Sequence, residues 1–335
     1  MKLTRQAFLR HAGSLAVVAC AGVAAPAFAA DAAVKLVFAD VNTKDSPVGK
    51  SVARLAELVK QRTNGSVTID YFERSQLGNE TELVNKVKNG SVDMADISTA
   101  VLSSFVPDVG IVTLPYLLES RHHGEKVLHS DMAADWAKQF QEKHHISLLG
   151  YFAGSDRDLY TRKPVNALKD FAGLKIRVVE SQVYVSFIKA LGGLPTPIPA
   201  SEIYSALQTG VVDGTDVGSA TYVTQKIYEQ APDVAKLDWL YGFQGILVSD
   251  RAMKRLSPAQ RDALLASIKD AEKFSIETYD AFDKSIYTEL AAQKKVTVTT
   301  PDLREFRKAV QVAYDNEWNA KYGKDKIERI RAMAK

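Results

Sequence analysis

The chain has 335 residues, of which 46% are hydrophobic and 25% are charged, a length and composition that suit two globular domains and exclude a disordered or fibrous protein. Its 43 lysines and arginines face 40 aspartates and glutamates, and the excess falls in the first thirty residues, which contain no acidic residue. The rest of the chain lacks the basic surplus that nucleic-acid binding requires, so we expect no nucleic-acid partner.

The first 29 residues predict a secretory signal peptide. A basic start precedes an apolar stretch from Leu15 to Ala25, and Ala27-Phe28-Ala29 forms a small-x-small cleavage site. We therefore expect an exported, periplasmic protein. Cys20, the only cysteine, lies within this leader and offers lipid attachment as the alternative. Cleavage after Ala29 removes it and leaves a mature chain without disulfides or a cysteine-ligated metal.

After the leader, short β-rich runs alternate with helical patterns, as in folds built on a mainly parallel sheet. Proline near a helix start and Asn-Gly at helix ends mark the boundaries. The predicted elements, in order, are a strand at Val34 to Ala39, a helix from Ser46-Pro47 to Asn64-Gly65, a strand at Val67 to Phe72, and a helix from Asn79 to Asn89-Gly90 that leads into Val92-Asp93-Met94.

A nine-residue pattern occurs twice, 120 residues apart. Asn89 to Ile97 and Thr209 to Val217 each combine a helix end, a capping glycine, a short strand and a polar turn. The repetition predicts two similar α/β lobes, with chance similarity of a common unit as the alternative. Because ligands lie beyond the carboxyl ends of strands in open α/β sheets, the turns around Asp96 and Asp216 would face one cleft.

A long helix is predicted to begin at Ser257-Pro258. Apolar residues recur at three- and four-residue spacing for roughly 35 residues, about 50 Å at 1.5 Å per residue, which exceeds the width of one lobe. We expect this helix to brace both lobes. No Pro/Gly-rich linker separates the halves, so we predict lobe I from residues 30–154 plus about 243–282 and lobe II from residues 155–242 plus about 283–335.

The chain lacks the phosphate-loop, dinucleotide-binding, zinc-protease and serine-hydrolase motifs of common enzymes. Five histidines lie close together in the sequence but lack the acid or cysteine spacing of a metal site. We therefore expect no metal and no cofactor, and predict that the histidines are solvated surface residues. They are His122, His123, His129, His144 and His145.

Several motifs distributed over the chain carry a family resemblance. They are Arg74-Ser75-Gln76-Leu77-Gly78, Leu114-Pro115-Tyr116, Gly173-Leu174-Lys175-Ile176-Arg177-Val178, Pro195-Thr196-Pro197 and the stretch from Glu202 to Gly214. Together they closely resemble the DctP-type solute-binding proteins of tripartite ATP-independent periplasmic (TRAP) transporters, over nearly the whole mature chain.

The resemblance implies a periplasmic protein with two lobes, each a mainly parallel sheet wrapped by helices, that closes on an organic acid and presents it to a membrane permease. No catalysis is implied, and we expect a monomer. Arg177 matches the family arginine that holds the ligand carboxylate, and Arg157 matches a second contact in some members. Ion pairing of Arg157 with Asp156 or Asp158 is the alternative. The other pocket positions that the resemblance implies are Glu80, Ser98, Glu180 and Asp216.

The acidic residues implied at the cleft bear on the choice of ligand. Glu80, Glu180 and Asp216 are acceptor-only groups, which suit hydroxyl donors better than a second carboxylate. Trp239 lies where the chain returns between the lobes and would either pack on a sugar ring or belong to the core. We therefore predict a sugar acid such as a uronate or aldonate as the ligand. A C4-dicarboxylate is the alternative, and an acid/base enzyme in the same cleft is a further one.

Overall fold

The computed structural model describes residues 32–334, so the predicted signal peptide and Cys20 lie outside the described residues. Within that range, nine strands form one mixed sheet. The strands are β1 (Val34–Ala39), β2 (Val67–Phe72), β3 (Met94–Ser98), β4 (Ile146–Thr161), β5 (Lys175–Val178), β6 (Leu194–Pro197), β7 (Gly214–Gly218), β8 (Asp233–Ser249) and β9 (Thr297–Thr299).

Helices occupy most of the remaining chain, and among residues 32–334 none has the length and apolar character of a membrane span. The predicted starts are confirmed where the cap is strong: Ser46 accepts a hydrogen bond from the N–H of Gly49, and Asn79 forms a capping box with Glu82. The helices are α1 (Pro47–Arg62), α2 (Glu80–Asn89), α3 (Thr99–Leu102), α4 (Arg121–Leu128), α5 (Asp131–His144), α6 (Gln182–Ala190), α7 (Ile203–Gln208), α8 (Ser219–Thr224), α9 (Asp250–Arg255), α10 (Pro258–Ala292), α11 (Leu303–Ala313), α12 (Asn319–Tyr322) and α13 (Lys324–Ala332).

The strands have the same arrangement when the sheet is followed inward from either edge. It is β2-β1-β3-β8-β4-β7-β5-β6, with β9 alongside β8. At each edge three parallel strands are followed by a long strand that runs antiparallel to the third. We call the β2-β1-β3 side the first half and the β7-β5-β6 side the second half. The repeated sequence pattern falls on the equivalent strands β3 and β7, so the prediction of two similar α/β units is confirmed.

The long strands β4 and β8 join the two halves. They pair antiparallel along most of their length, with three register shifts, the middle one between Ala153 and Asp156. Two glycines allow the close approach at this point: a Cβ on Gly154 would lie 2.9 Å from the backbone carbonyl carbon of Gly242, and one on Gly242 would lie 2.9 Å from the carbonyl oxygen of Ser155. The irregularity therefore lies where the halves meet.

Helix α10 has 35 residues and begins with Ser257 as its N-cap, as the sequence predicts. It contacts α1 and β4 along its first part and α8 and β9 further on, so the predicted bracing helix is confirmed. Two of its side chains replace missing strand partners. Glu272 accepts a hydrogen bond from the N–H of Tyr151 at 2.6 Å, and the Ser275 hydroxyl accepts one from the N–H of Ala153 at 2.9 Å.

Apolar side chains of residues 32–334 pack in three buried clusters. One lies between the first half of the sheet, α1 and α10, and includes Leu55 and Ile268. A smaller one around Tyr160 and Leu207 lies in the second half, under α7 and the end of α10. The largest extends from α2 through α5 and α6 to the C-terminal helices, and includes Trp239. The core is therefore continuous across both halves.

The prediction that all five histidines are solvated is wrong for His144, which is half-buried with its Nδ1 buried, and for His123, which is only 2% exposed. Its Nδ1 accepts a hydrogen bond from the N–H of Glu119 at 3.1 Å, and its Nε2 donates to the carbonyl oxygen of Ile330 at 2.7 Å. The ring thereby fastens α13 to α4. Among residues 32–334, no group of three or more His, Cys, Asp or Glu side chains is arranged to hold a metal ion.

Candidate functional site

A cavity of about 90 Å³ lies between the two halves, beside Gly154 and Gly242. Its volume is several times the roughly 10–15 Å³ that one water needs, so it fits a small molecule. The other residues that line the cavity are Val41, Asn42, Glu80, Ser98, Thr99, Ser155, Arg157, Arg177, Val179, Tyr184, Ala200, Val217, Gly218, Thr221, Phe243, Gln244 and Tyr279.

Arg177 supplies a buried positive charge to this cavity. Its side chain is 2% exposed, and its Nε donates a hydrogen bond to the carbonyl oxygen of Ile198 at 2.7 Å. It forms no ion pair within residues 32–334. Burial lowers the pKa of Arg177 to about 10, so the guanidinium stays charged at neutral pH. Its two Nη atoms are left for a planar acceptor such as a carboxylate.

The acids that flank Arg157 in the sequence are engaged elsewhere. Asp156 pairs with Arg121 at 2.6 Å, and Asp158 pairs with Lys236 at 3.0 Å. The alternative, that Asp156 or Asp158 forms an ion pair with Arg157, is therefore wrong.

The guanidinium of Arg157 reaches the cavity from β4. Its central carbon lies 4.9 Å from the ring centre of Tyr184, and its Nε is buried without a hydrogen-bond partner among the described residues. A cation above an aromatic ring is stabilised without using its N–H donors. The structure thus brings Arg157 and Arg177 to one cavity with donors unpaired.

Glu80 and Ser98 form the polar wall of the cavity on the first half. One carboxylate oxygen of Glu80 accepts a hydrogen bond from the N–H of Ser98 at 2.5 Å, and the Ser98 hydroxyl caps α3 by accepting from the N–H of Val101 at 3.4 Å. Burial raises the pKa of Glu80, and the Ser98 N–H opposes the rise. The other oxygen of Glu80 can accept from a ligand hydroxyl.

Asp216 lies behind the arginines instead of on the cavity wall, where its neighbours Val217 and Gly218 stand. It is 1% exposed, and its carboxylate oxygens accept no hydrogen bond from another residue of the described chain. Burial raises the pKa of Asp216 to about 6, while Arg157 and Arg177 act to lower it. The direct ligand contact expected for Asp216 is therefore not supported.

Asp96, on β3, is the counterpart of Asp216 in the first half. It is fully buried, and its oxygens accept no hydrogen bond from an N–H or hydroxyl of residues 32–334. Its carboxyl group lies against that of Asp40, which accepts hydrogen bonds from the N–H of Asn42 and the hydroxyl of Tyr71, both at 2.7 Å. Burial and the adjacent Asp40 raise the pKa of Asp96 well above its usual value.

Glu180 lies outside this cavity and lines a smaller adjoining one of about 10 Å³ together with Glu80 and Arg177. Its carboxylate accepts a hydrogen bond from the Thr81 hydroxyl at 3.1 Å, and its carbonyl oxygen accepts one from the Ser104 hydroxyl at 3.1 Å. The hydroxyls of Ser103 and Ser181 are 3.3 Å apart. These contacts join α2 and α3 of the first half to the segment after β5 in the second half. Glu180 therefore links the two halves beside the pocket, and its contact with the ligand stays a prediction.

Trp239 is a core residue, which was the alternative left open by its sequence position. It is 1% exposed, stacks on Phe187 with ring centres 4.2 Å apart, and meets Tyr184 edge-on at 5.0 Å. It does not line the cavity. Its large apolar ring instead supports the cavity wall from behind, through Tyr184.

Sequence reasoning missed several residues of the wall. Asn42 follows β1, and the rule that ligands lie beyond the carboxyl ends of strands would have found it. Tyr184, Gln244 and Tyr279 come from α6, from the antiparallel strand β8 and from the bracing helix. No sequence pattern indicated that these elements would reach the cleft.

Comparison with known proteins places this chain and its fold in a family. The sequence pattern of the bacterial extracellular solute-binding proteins, family 7 (DctP), matches residues 38–321. A TRAP periplasmic solute-binding protein from Polaromonas, solved with bound D-erythronate, is 27% identical, with a TM-score of 0.85 over 89% of this chain and 98% of that one.

Two further solved TRAP solute-binding proteins show the range of bound acids. The protein from Xanthobacter autotrophicus, with bound β-D-galacturonate, is 29% identical, with a TM-score of 0.82 over 89% of this chain and 99% of that one. The protein from Sulfurospirillum deleyianum, with bound succinate, is 26% identical, with a TM-score of 0.84 over 90% of this chain and 99% of that one. Because the family pattern spans most of the chain and the fold is shared throughout, the protein belongs to the DctP family of bacterial extracellular solute-binding proteins.

Proposed function

We propose that this protein binds a sugar acid, such as an aldonate or a uronate, in the cavity between its halves and delivers it to the permease of a TRAP transporter. The observation that carries the proposal is the pair of guanidiniums, Arg157 and Arg177, which face one cavity with donors that no described residue uses. Unpaired charged donors in a buried cavity call for an anionic ligand, and a carboxylate matches the planar fork of arginine.

The opposite wall favours a ligand that carries hydroxyl groups. With its carboxylate at the arginines, a sugar acid would extend toward Glu80 and Ser98, where the free oxygen of Glu80 accepts from a hydroxyl. A buried acceptor left unpaired costs about 1–3 kcal/mol, so a ligand without hydroxyls is disfavoured. The erythronate and galacturonate bound by two of the relatives are such hydroxy acids.

The two halves are proposed to move as lobes with the boundaries predicted above, residues 30–154 plus about 243–282 and residues 155–242 plus about 283–335. Among the described residues, hydroxyl contacts such as that from Thr81 to Glu180 join the halves beside the cavity, and this exposed hydrogen bond can exchange with water. The register shift at Gly154 and Gly242 supplies a flexible point in the connecting strands.

The remaining parts of the proposal follow from family membership. Relatives named as periplasmic solute-binding proteins support periplasmic export, for which the first 29 residues are the proposed signal, and binding without catalysis. A C4-dicarboxylate is the second candidate ligand. It is favoured by the presence of two arginines and by the succinate in the Sulfurospirillum relative.

Calorimetric titration of the mature chain tests the ligand. The panel is D-erythronate, D-galactonate, D-galacturonate and D-glucuronate, with succinate and L-malate as dicarboxylates. We expect stoichiometric binding of at least one sugar acid, recovered unchanged by mass spectrometry after incubation. Tighter binding of succinate or malate than of every sugar acid would establish the dicarboxylate candidate, and binding of none of the acids would overturn the proposal.

A further inference from the structure

We propose that Asp216 sets the charge of the ligand: it cancels one of the two arginine charges, so the cavity accepts a solute with a single negative charge. The inference rests on the proposed function, because it concerns the acid that binds at Arg157 and Arg177. Asp216 does this without touching the ligand, as a positioning residue behind the two guanidiniums.

The strand that carries Asp216 lies between the strands that carry the two arginines. Its strand, β7, lies between β4 and β5, which carry Arg157 and Arg177, and neighbouring strands are about 4.8 Å apart. Asp216 is opposite Leu159, two residues from Arg157, and the preceding residue, Thr215, is opposite Arg177. Because side chains alternate along a strand, Asp216 shares the face of Arg157 and not that of Arg177. Both cations nevertheless act on its carboxylate, which forms no ion pair that would occupy their N–H groups.

The environment of Asp216 leaves it no role as a hydrogen-bond acceptor. A carboxylate that is 1% exposed and accepts no hydrogen bond from another described residue is unfavourable unless nearby charges stabilise it. Arg157 and Arg177 provide that stabilisation, and in return Asp216 raises the pKa of Arg177, which burial lowers. The three residues thus form a buried group with a net charge of one.

The other ionisable groups at the cavity add no positive charge. Glu80, on the opposite wall, can add only negative charge, which further disfavours a second ligand carboxylate, and burial raises the pKa of both Glu80 and Tyr184. One ligand carboxylate therefore neutralises the arginine group. A second carboxylate would be removed from water without a cation to pair with, which is strongly unfavourable in a closed cavity.

The repeated topology supplies a matched control. Asp96 occupies the equivalent position on β3 with the same burial, but the charged groups that act on it are Asp40 and Glu80 and not the arginines. Replacing Asp96 by Asn therefore makes the same chemical change without altering the charge near the arginines. Replacing Asp216 by Asn removes one negative charge from behind them.

The test compares two acids that differ only in whether carbon 4 is a hydroxymethyl group or a carboxylate: D-erythronate and meso-tartrate. We expect the wild-type protein and Asp96→Asn to bind erythronate at least tenfold more tightly than tartrate in calorimetry at pH 7.5. In Asp216→Asn we expect the ratio of the two affinities to move toward tartrate by about tenfold or more. Asp216→Glu retains the charge and should keep the wild-type ratio. An unchanged ratio in Asp216→Asn overturns the inference.

A second measurement does not depend on the identity of the organic acid. Sulfate, an inorganic dianion, should raise the melting temperature of Asp216→Asn more than that of the wild type or Asp96→Asn, because two guanidiniums are then left without a counter-charge. Equal sulfate effects in all three overturn the inference. If no sugar acid binds the wild type but sulfate stabilises Asp216→Asn selectively, the proposed ligand is wrong and the charge-setting role of Asp216 stands. Asp216→Ser, with the same expected responses, replaces the Asn variant if that variant does not fold.

Discussion

Replacing Arg177 by alanine is expected to weaken ligand binding by a little more than a hundredfold. The substitution removes two Nη donors, and hydrogen bonds to charged groups contribute about 1.5–3 kcal/mol each. Part of this loss is offset, because Arg177 is buried beside the like charge of Arg157, which together with burial lowers its pKa to about 10. We therefore expect a net loss of about 3 kcal/mol, at 1.4 kcal/mol for each tenfold change in Kd.

Replacing Arg177 by lysine separates the charge from the geometry. Lysine keeps one positive charge but loses both the planar fork and the Nε–H that donates to the carbonyl oxygen of Ile198. We expect roughly a tenfold loss of affinity, smaller than for alanine, because the Coulomb attraction to the ligand carboxylate survives.

Calorimetric titration with the tightest-binding acid of the panel measures both variants. Circular dichroism and thermal melting establish that each variant is folded. The matched control is Arg304→Ala, because Arg304 is 90% exposed and pairs with Asp302 at 2.5 Å, near the start of α11. Its Kd should equal that of the wild type. A folded Arg177→Ala with nearly wild-type affinity would refute the assignment of Arg177 to the ligand carboxylate.

Four further outcomes are expected. Glu80→Gln should weaken binding of sugar acids by about tenfold and leave succinate nearly unaffected, since the lost acceptor serves ligand hydroxyls; equal losses in calorimetry would contradict this role. Trp239→Ala should lower the free energy of unfolding by about 3–5 kcal/mol in urea denaturation, as expected for a buried aromatic ring; a loss of affinity at unchanged stability would return Trp239 to the ligand site. Small-angle scattering should show a smaller radius of gyration at saturating ligand, and an unchanged radius would mean a rigid pocket. The pKa of Asp96 is raised in the folded state, so its contribution to stability is present below about pH 4 and is lost as the pH rises through the folded pKa. The urea midpoint of Asp96→Asn should therefore decline less as the pH is raised than the midpoint of the wild type.

Local signals were sufficient for much of the fold. The first two strands and the 35-residue helix were predicted with nearly the observed bounds. The strands are short β-rich runs next to helix boundaries, and the helix has a regular apolar spacing and the strong N-cap of Ser257. The strand predicted from Val92 begins at Met94. The antiparallel course of β4 and β8 was not predicted, since each pairs with partners distant in sequence and no turn signal connects them.

For the candidate site, the sequence predicted some of the cavity residues and misplaced others. Arg157, Arg177, Glu80 and Ser98 were placed at one cavity, as the motifs predict. Asp216, Glu180 and Trp239 were not, because a motif identifies a stretch of chain and does not determine which neighbour in a strand points toward the cleft. For Asp216, the cavity wall is formed by the next two residues of the same strand.

The shared strands β4 and β8 also constrain how the chain can fold. The first half needs β8, which ends at Ser249, and the brace of α10, which ends at Ala292, so the first 150 residues lack partners that their own sheet requires. Folding of that half must wait for sequence from the far end of the chain, and the many non-local pairings predict slow, cooperative folding. Neither half should be obtainable as an independent fragment, and a chain that is still being synthesised remains unfolded until most of it is available.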